Sequence, residues 1–157
     1  MSRSRLKSKG RNSSGRFAGI PLTVMASEDY VSLSGNGVRL LLELARQYNG
    51  HNNGNLSAAY SQMQERGFRS RTTLAKSLKD LQDNTLILCT RAGYFANPGS
   101  RCALYALTWQ PIDECQGKSL EVMPTTLPPR RFSLESSKTP GPESGLGATK
   151  KWTDEAA

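Results

Sequence analysis

Apolar residues recur at helical spacing in the middle of the chain and predict its longest helix there. The positions with this spacing are Val38, Leu41, Leu42, Ala45 and Tyr48. Such a stripe gives one face that can be buried against a core. Ser34 or Asn36 is placed to cap the start of the helix, and Asn49-Gly50 is placed to end it. We expect this to be the central core helix.

A short helix and a loop are predicted on either side of the central helix. Ser27 is followed by two acidic residues, which favour the positive end of a helix dipole, so a helix is expected over 28–33. The segment 50–55 reads GHNNGN. Gly and Asn tolerate positive φ better than other residues, and this segment is therefore predicted to be a loop.

Two further core helices are predicted to follow the loop, separated by a tight turn. Ser57 is expected to cap the first of them, which Gly67 ends as a residue just past the helix. Ser70 is expected to cap the second. The apolar positions of the two helices are Ala59, Tyr60 and Met63 in the first and Leu74, Leu78 and Leu81 in the second.

The hydrophobic period changes from helical to alternating after residue 84. The segments 86–91 (LILCTR) and 102–109 (CALYALTW) are predicted strands, and the ten residues between them contain an Asn-Pro-Gly turn. These features predict a β-hairpin with a long exposed tip. The expected fold class is mainly α with one β-hairpin, that is, three core helices followed by a two-stranded hairpin.

Charge divides the 157 residues into three parts. Residues 1–19 carry six basic and no acidic groups, residues 20–112 carry nine and six, and residues 113–157 carry six and seven, giving a net charge of +8. The first part has almost nothing to bury and is predicted to be a disordered basic arm. The last part is rich in Pro, Ser and Gly without apolar periodicity, and is predicted to be a disordered tail. The domain is therefore expected over 20–112.

The residue types that carry catalysis or bind metals are sparse. His51 is the only histidine and lies in the Gly/Asn loop, and no phosphate-binding glycine loop or nucleophile motif occurs. Three cysteines are too few for a disulfide framework, and Cys89 and Cys102 are expected to be reduced core residues. No apolar run approaches the roughly 18 residues of a membrane span. We expect a cytoplasmic protein that is not an enzyme, with no cofactor, no metal and no membrane partner.

The predicted order of elements is that of a winged helix-turn-helix, in which a short helix and a tight turn present a second helix to the DNA major groove. The stretches LLLELARQYNG, RGFRSRTTLAKSLKDL and LYALTW resemble winged helix-turn-helix domains of bacterial phages and integrative elements. They are also similar to the amino-terminal DNA-binding domains of phage replication proteins. Where such domains place a glycine before the first wing strand, this chain has Asn84-Thr85, and Asn tolerates the left-handed conformation.

This interpretation predicts three groups of contacts with double-stranded DNA. The amino-terminal end of the third core helix is the part expected to read base edges, the hairpin tip to contact the backbone, and the basic arm to add affinity without specificity. The recognition-helix residues are Arg69, Ser70, Arg71, Thr72, Thr73 and Lys76. The wing residues are Arg91, Tyr94 and Arg101, and the arm residues are Arg3, Arg5, Lys7, Lys9, Arg11 and Arg16.

The resulting hypothesis is a sequence-specific regulator or replication accessory of a bacterial mobile element, located at the nucleoid. A homodimer is a further expectation, because winged domains often bind as dimers. One alternative is a protein-interaction module that uses Tyr94, Phe95 and the Pro-rich segment 127–132 (LPPRRF) of the tail for docking. Another is RNA binding through the arm. The simplest alternative for the basic helix face and for the tip is an ordinary solvated surface, with Tyr94 and Phe95 packed back on the domain.

Overall fold

The computed structural model describes residues 15–96 and 98–135, which contain six α-helices and a small antiparallel sheet of three strands. The helices are α1 (Leu22–Met25), α2 (Glu28–Val31), α3 (Gly35–Gln47), α4 (Tyr60–Glu65), α5 (Arg71–Asp83) and α6 (Phe132–Glu135). The strands are β1 (Leu56–Ser57), β2 (Ile87–Arg91) and β3 (Leu104–Leu107). The chain therefore has a mixed α/β fold.

Serine side chains start three of the helices, as the sequence predicts. The hydroxyl oxygens of Ser27, Ser34 and Ser70 accept hydrogen bonds from the backbone N–H groups three residues ahead, at 3.3, 3.1 and 3.4 Å. Each bond satisfies one of the amide groups that a helix leaves unpaired at its first turn. Ser34 and not Asn36 caps the central helix α3.

The core lies between α3, α5 and the sheet. α3 contributes Leu40, Leu41 and Leu44, all fully buried, and α5 contributes Leu74 and Leu81. The sheet adds its own buried residues, which include Leu56, Ile87, Tyr105 and Leu107. Burial of these side chains from three elements fixes the position of α5 on the domain.

The sheet has one strand more than the sequence predicts. Its order is β1-β3-β2, with Leu56 opposite Tyr105 and Ile87 opposite Leu107. The prediction that Ser57 caps a helix is wrong, because Ser57 is extended and α4 begins three residues later without a side-chain cap. The side-chain amide of Gln47 accepts from the Ser57 N–H at 2.9 Å and donates to its carbonyl at 2.8 Å. This pairing from a distant helix holds the residue in a strand.

The turn between α5 and β2 also differs from the prediction. Thr85, with φ +50°, takes the left-handed conformation that the sequence assigns to Asn84, whose φ is −84°. The Asn84 amide donates to the Asp80 carbonyl at 2.9 Å, which keeps Asn84 close to helical geometry. The Thr85 carbonyl accepts from the Thr108 hydroxyl at 2.8 Å. This hydrogen bond from Thr108, the residue after β3, therefore holds Thr85 in its strained conformation.

Residues 113–135 pack on the domain, and the prediction of a disordered tail from residue 113 is wrong for this segment. We call these residues the carboxy-terminal extension. Phe132 within it is 3% exposed. Backbone amides of Glu121 and Arg130 donate to the carbonyls of Thr90 and Thr108, at 2.7 and 2.9 Å. The extension is anchored by single residues that are spaced irregularly along it. Its sequence therefore shows no apolar periodicity from which the packing could be predicted.

The loop 50–55 is closed by a fully buried asparagine. The Asn53 side chain accepts from the Leu107 N–H at 2.7 Å and donates to the carbonyls of Leu107, Gln110 and Pro111 at 2.8–3.1 Å. Its backbone N–H donates to the Asp113 carboxylate at 2.8 Å. This one residue joins the loop to β3 and to the start of the extension.

The predicted arm and the end of the predicted tail fall mainly in segments 1–14 and 136–157, outside the described residues, as does Asn97 in the hairpin turn. In the part of the chain that is described, no helix has the length and apolar character needed to cross a membrane.

Candidate nucleic-acid interface

The amino-terminal end of α5 and the turn before it form an exposed basic surface, which we call the α5 surface. Its members are Arg69, Arg71, Thr72, Ala75 and Lys76, all exposed. Two of the predicted residues play a structural part instead. Ser70 caps the helix, and half-buried Thr73 supplies both the capped N–H and a carbonyl that accepts from Ser77 at 2.9 Å. Ala75 was not predicted, and its small side chain leaves this face open to close approach.

The cations of the α5 surface have no acidic partner in the described part of the chain. Within residues 15–96 and 98–135, Arg69, Arg71 and Lys76 form no ion pair, whereas the next cation along the helix, Lys79, pairs with Asp83. Arg66, just before the turn, pairs with Glu43. The positive potential is therefore concentrated at the amino-terminal half of α5, the end that also presents unpaired backbone N–H groups.

Tyr60, the first residue of α4, contacts two members of this surface. The guanidinium carbon of Arg71 lies 4.5 Å from the centroid of the Tyr60 ring. The Tyr60 hydroxyl donates to the carbonyl of Arg69 at 3.1 Å. Tyr60 and Arg71 are eleven positions apart on different helices, so no local spacing in the sequence indicates the contact. The sequence identifies Tyr60 only as an apolar helix position.

The turn between α4 and α5 is held against α3 by Glu43 and Arg39. Glu43 accepts two hydrogen bonds from the Arg66 guanidinium, each 2.9 Å long, and a third from Arg46. These arginines, Arg66 first, lower the pKa of the Glu43 carboxyl despite its burial. Arg39 donates to the Arg66 carbonyl at 2.7 Å and fills the space where a Cβ on Gly67 would lie. Gly67 has φ +93°, as the prediction of a helix-ending glycine requires.

The arginines of the predicted wing are already hydrogen-bonded: Arg91 ends β2, and Arg101 lies opposite Tyr94 nearer the tip. Arg91 donates to the Cys102 carbonyl at 2.8 and 3.2 Å and to the Lys118 carbonyl at 2.8 Å. Arg101 pairs with the Glu121 carboxylate and donates to the Ala92 carbonyl at 3.2 Å. Both side chains thus fasten the hairpin to the carboxy-terminal extension. To contact DNA as predicted, Arg91 and Arg101 would have to give up some of these hydrogen bonds.

The hairpin tip is aromatic. Tyr94 is half exposed and stacks on Arg101, with 4.8 Å between guanidinium carbon and ring centroid, while Phe95 is 95% exposed. Packing of Phe95 back on the domain, one of the alternatives from the sequence, is therefore wrong.

Of the arm cations, Arg16 alone lies within the described residues, and it donates to the Tyr48 carbonyl at 3.2 Å. The predicted contacts of Arg3, Arg5, Lys7, Lys9 and Arg11 lie outside those residues.

The Pro-rich segment 127–132 is part of the folded domain. Arg130 donates to the Asn84 carbonyl, to the Thr85 hydroxyl and to the carboxylates of Asp29 and Glu135, and its guanidinium stacks on the Phe132 ring at 4.1 Å. The hydrogen bonds that Arg130 donates to Glu135, and next those to Asp29, raise the pKa of Arg130. These contacts fix Arg130 and Phe132, whereas Leu127 and Pro129 are exposed, and docking of the segment in a polyproline groove stays a prediction.

Cysteine and histidine do not form a site in the described part of the chain. Cys89, Cys102 and Cys115 are free thiols, and Cys102 is exposed, contrary to its predicted place in the core. Burial raises the pKa of the Cys115 thiol. His51 is exposed, and no three His, Cys, Asp or Glu side chains among these residues are grouped to hold a metal ion.

Comparison of the chain with protein-family models, with curated proteins and with solved structures finds no match.

Proposed function

We propose that this protein binds double-stranded DNA sequence-specifically, with α5 as the recognition helix of a winged helix-turn-helix. The order β1-α4-α5-β2-β3 and the strand order β1-β3-β2 support this arrangement. In it, α4 and the turn at Gly67 brace α5, and the β2-β3 hairpin is the wing.

The observation that carries the proposal is the α5 surface. Among the described residues, three cations without acidic partners lie at the amino-terminal end of α5 and in the turn before it, and this helix of 13 residues is held to the core by its opposite face. An exposed helix end of this kind fits the major groove, where Arg pairs with guanine and Thr contacts phosphate or the thymine methyl. The side chain of Ala75 at the centre of this face is small, so the backbone of α5 can approach the base edges closely.

The arm would add affinity of a different kind. Five cations in residues 3–11 precede the domain, and each phosphate neutralised steepens the dependence of binding on salt, by a slope of about −0.9 per contact on duplex DNA. This term carries no sequence information. The resemblance to domains of phages and integrative elements adds a biological setting. We propose that the protein is a transcription regulator or replication accessory of a bacterial mobile element.

Fluorescence anisotropy of the full chain tests the proposal, with duplex DNA, single-stranded DNA and RNA titrated at several salt concentrations. A site is first selected from random duplexes. The test variant is Arg69→Ala/Arg71→Ala/Lys76→Ala, and the matched control is Arg46→Ala/Lys79→Ala/Lys118→Ala, which removes the same charge elsewhere. We expect the first to lose preference for the selected site and the second to keep it.

If both triple variants lost equal affinity for the selected site, the α5 surface would contribute only through its general positive charge. That result would contradict the proposal. Binding that ignores the form of the nucleic acid and disappears when the arm cations are replaced by serine would favour RNA or non-specific tethering instead.

A second candidate function is protein recognition through the hairpin tip. The observation that favours it is Phe95, 95% exposed beside Tyr94, at a tip whose neighbouring arginines, Arg91 and Arg101, are already hydrogen-bonded. A large exposed aromatic residue is a typical anchor of a protein interface. Co-purification of a protein partner that Phe95→Ser abolishes, together with unchanged DNA binding, would support this candidate.

A further inference from the structure

Four arginines in the described residues stack on aromatic rings, and one of them differs from the others. The stacked arginines are Arg39 on Phe68, Arg71 on Tyr60, Arg101 on Tyr94 and Arg130 on Phe132. Three of them also donate hydrogen bonds from the guanidinium edge, to the Arg66 carbonyl, to Glu121 and to Glu135 respectively. Arg71 donates none within the described part of the chain.

The contact with Tyr60 leaves the edge of Arg71 available. A guanidinium is planar, so stacking occupies its face, whereas its N–H donors point outward in the plane. The ring lies on one side of the group at 4.5 Å and restricts its position. The Tyr60 hydroxyl bonds to the Arg69 carbonyl, so the ring is itself fixed to the turn that leads into α5. Among the described residues, Arg71 is thus an oriented guanidinium whose two edge donors have no acceptor.

We propose that Tyr60 is a positioning residue that presents the edge of Arg71 to a guanine base of the DNA site. This inference rests on the proposed function. Guanine is the base that fits, because its O6 and N7 atoms offer two acceptors side by side in the major groove, and an arginine can bond both at once. Restricting the guanidinium before binding reduces the conformational freedom lost on forming that pair.

The distinguishing readout is discrimination between bases, since a merely structural defect weakens binding to every duplex. The full chain is titrated with its selected site and with duplexes in which single guanines are replaced by 7-deazaguanine, which lacks the N7 acceptor. Tyr60→Leu removes the stacking ring, and Tyr60→Phe keeps the ring but removes the hydroxyl. Tyr30→Leu makes the same aromatic-to-aliphatic change on α2, and thermal melts establish that each variant is folded.

At one guanine, we expect the wild type to lose about fivefold or more in affinity on 7-deaza substitution. In Arg71→Ala, most of this loss of affinity on 7-deaza substitution should disappear. Tyr60→Leu should reduce it by about two- to fivefold, and Tyr60→Phe, which keeps the ring, should show the same loss as the wild type. Tyr30→Leu should leave it unchanged.

Two results would overturn the inference alone. One is duplex binding in which Tyr60→Leu keeps the full 7-deaza penalty, and the other is an Arg71→Ala variant that weakens all duplexes equally, as loss of a phosphate contact would. Absence of duplex binding by the wild type would overturn the proposed function itself, and this inference with it.

Discussion

The guanidinium of Arg66 donates two parallel hydrogen bonds to the carboxylate of Glu43, from Nε to Oε2 and from Nη2 to Oε1, each 2.9 Å long. Arg66 directly follows α4 and Glu43 lies on α3, so the pair attaches the turn before α5 to the central core helix. The Glu43 side chain is only 13% exposed. Paired charges of this geometry are stronger than ordinary surface ion pairs.

Replacing Glu43 by Gln should lower stability and change its dependence on pH. The folded protein lowers the pKa of Glu43, so its contribution is present above the ordinary carboxyl pKa of about 4.3 and is lost as pH falls through the lowered folded value. At pH 7 we expect Glu43→Gln to reduce the free energy of unfolding by about 1–2 kcal/mol. Urea denaturation between pH 3 and pH 7 measures both effects.

The control for this prediction is Glu65→Gln, because Glu65 is exposed at the end of α4 and forms no ion pair within the described residues. It should leave the acid dependence as in the wild type. A Glu43→Gln variant whose stability falls with acid as steeply as that of the wild type would show that other carboxylates cause the fall.

Truncating a buried residue of the carboxy-terminal extension should destabilise the whole domain. Phe132 is 3% exposed and packs in the core cluster, so Phe132→Ala should reduce the free energy of unfolding by about 3 kcal/mol. Met123, in the same extension, is 83% exposed, and Met123→Ala should change it by less than about 0.5 kcal/mol. Chemical denaturation compares the two. Similar small effects of both would mean that the extension does not contribute to the core.

Asn53 should be one of the most sensitive polar positions. Asn53→Ala leaves the Leu107 N–H and neighbouring carbonyls without their partner in a fully buried site, and we expect a loss of about 2–3 kcal/mol. Asn55→Ala, two positions along the same loop, serves as the matched control. Hydrogen exchange of the Leu107 amide should accelerate in the first variant only. Unchanged exchange there would contradict the role given to the Asn53 carbonyl oxygen.

On DNA, Arg71→Ala should cost about 1–3 kcal/mol of binding free energy at the selected site and little on unrelated duplexes. Lys79→Ala removes an equal charge about two turns further along α5, where Asp83 already neutralises it, and should cost less than about 0.5 kcal/mol. Anisotropy titrations at one fixed salt concentration give both values. A larger effect of Lys79→Ala would move the binding face towards the end of α5.

Local signals predicted α2 to α5 and the hairpin because their causes lie close together in the sequence, whereas the four-residue helices α1 and α6 were not predicted. The serine caps act on amides three residues away, and the leucines of α3 and α5 repeat within one helix. Strand β1 was missed because two residues carry no periodicity, and because the amide of Gln47, ten positions earlier, keeps Ser57 extended.

For the candidate site, the sequence predicts which residues are basic but not which of them have partners in the folded domain. Basic residues at the start of α5 are visible in the sequence, but which cations are occupied depends on partners far along the chain. Arg101 meets Glu121 twenty positions later, and Arg91 meets the carbonyl of Lys118. The Tyr60 contact with Arg71 and the burial of Phe132 are likewise products of tertiary packing, for which no local spacing exists.

The bond between Arg130 and Asp29 joins residues 101 positions apart. Closing a long segment of chain costs more entropy than closing a short one, and it requires residue 130 to have left the ribosome. We therefore expect the extension to dock after the helices and the hairpin have formed. In that order, a nascent chain carries α5 before the fastening of Arg101 to Glu121 gives the hairpin a fixed direction.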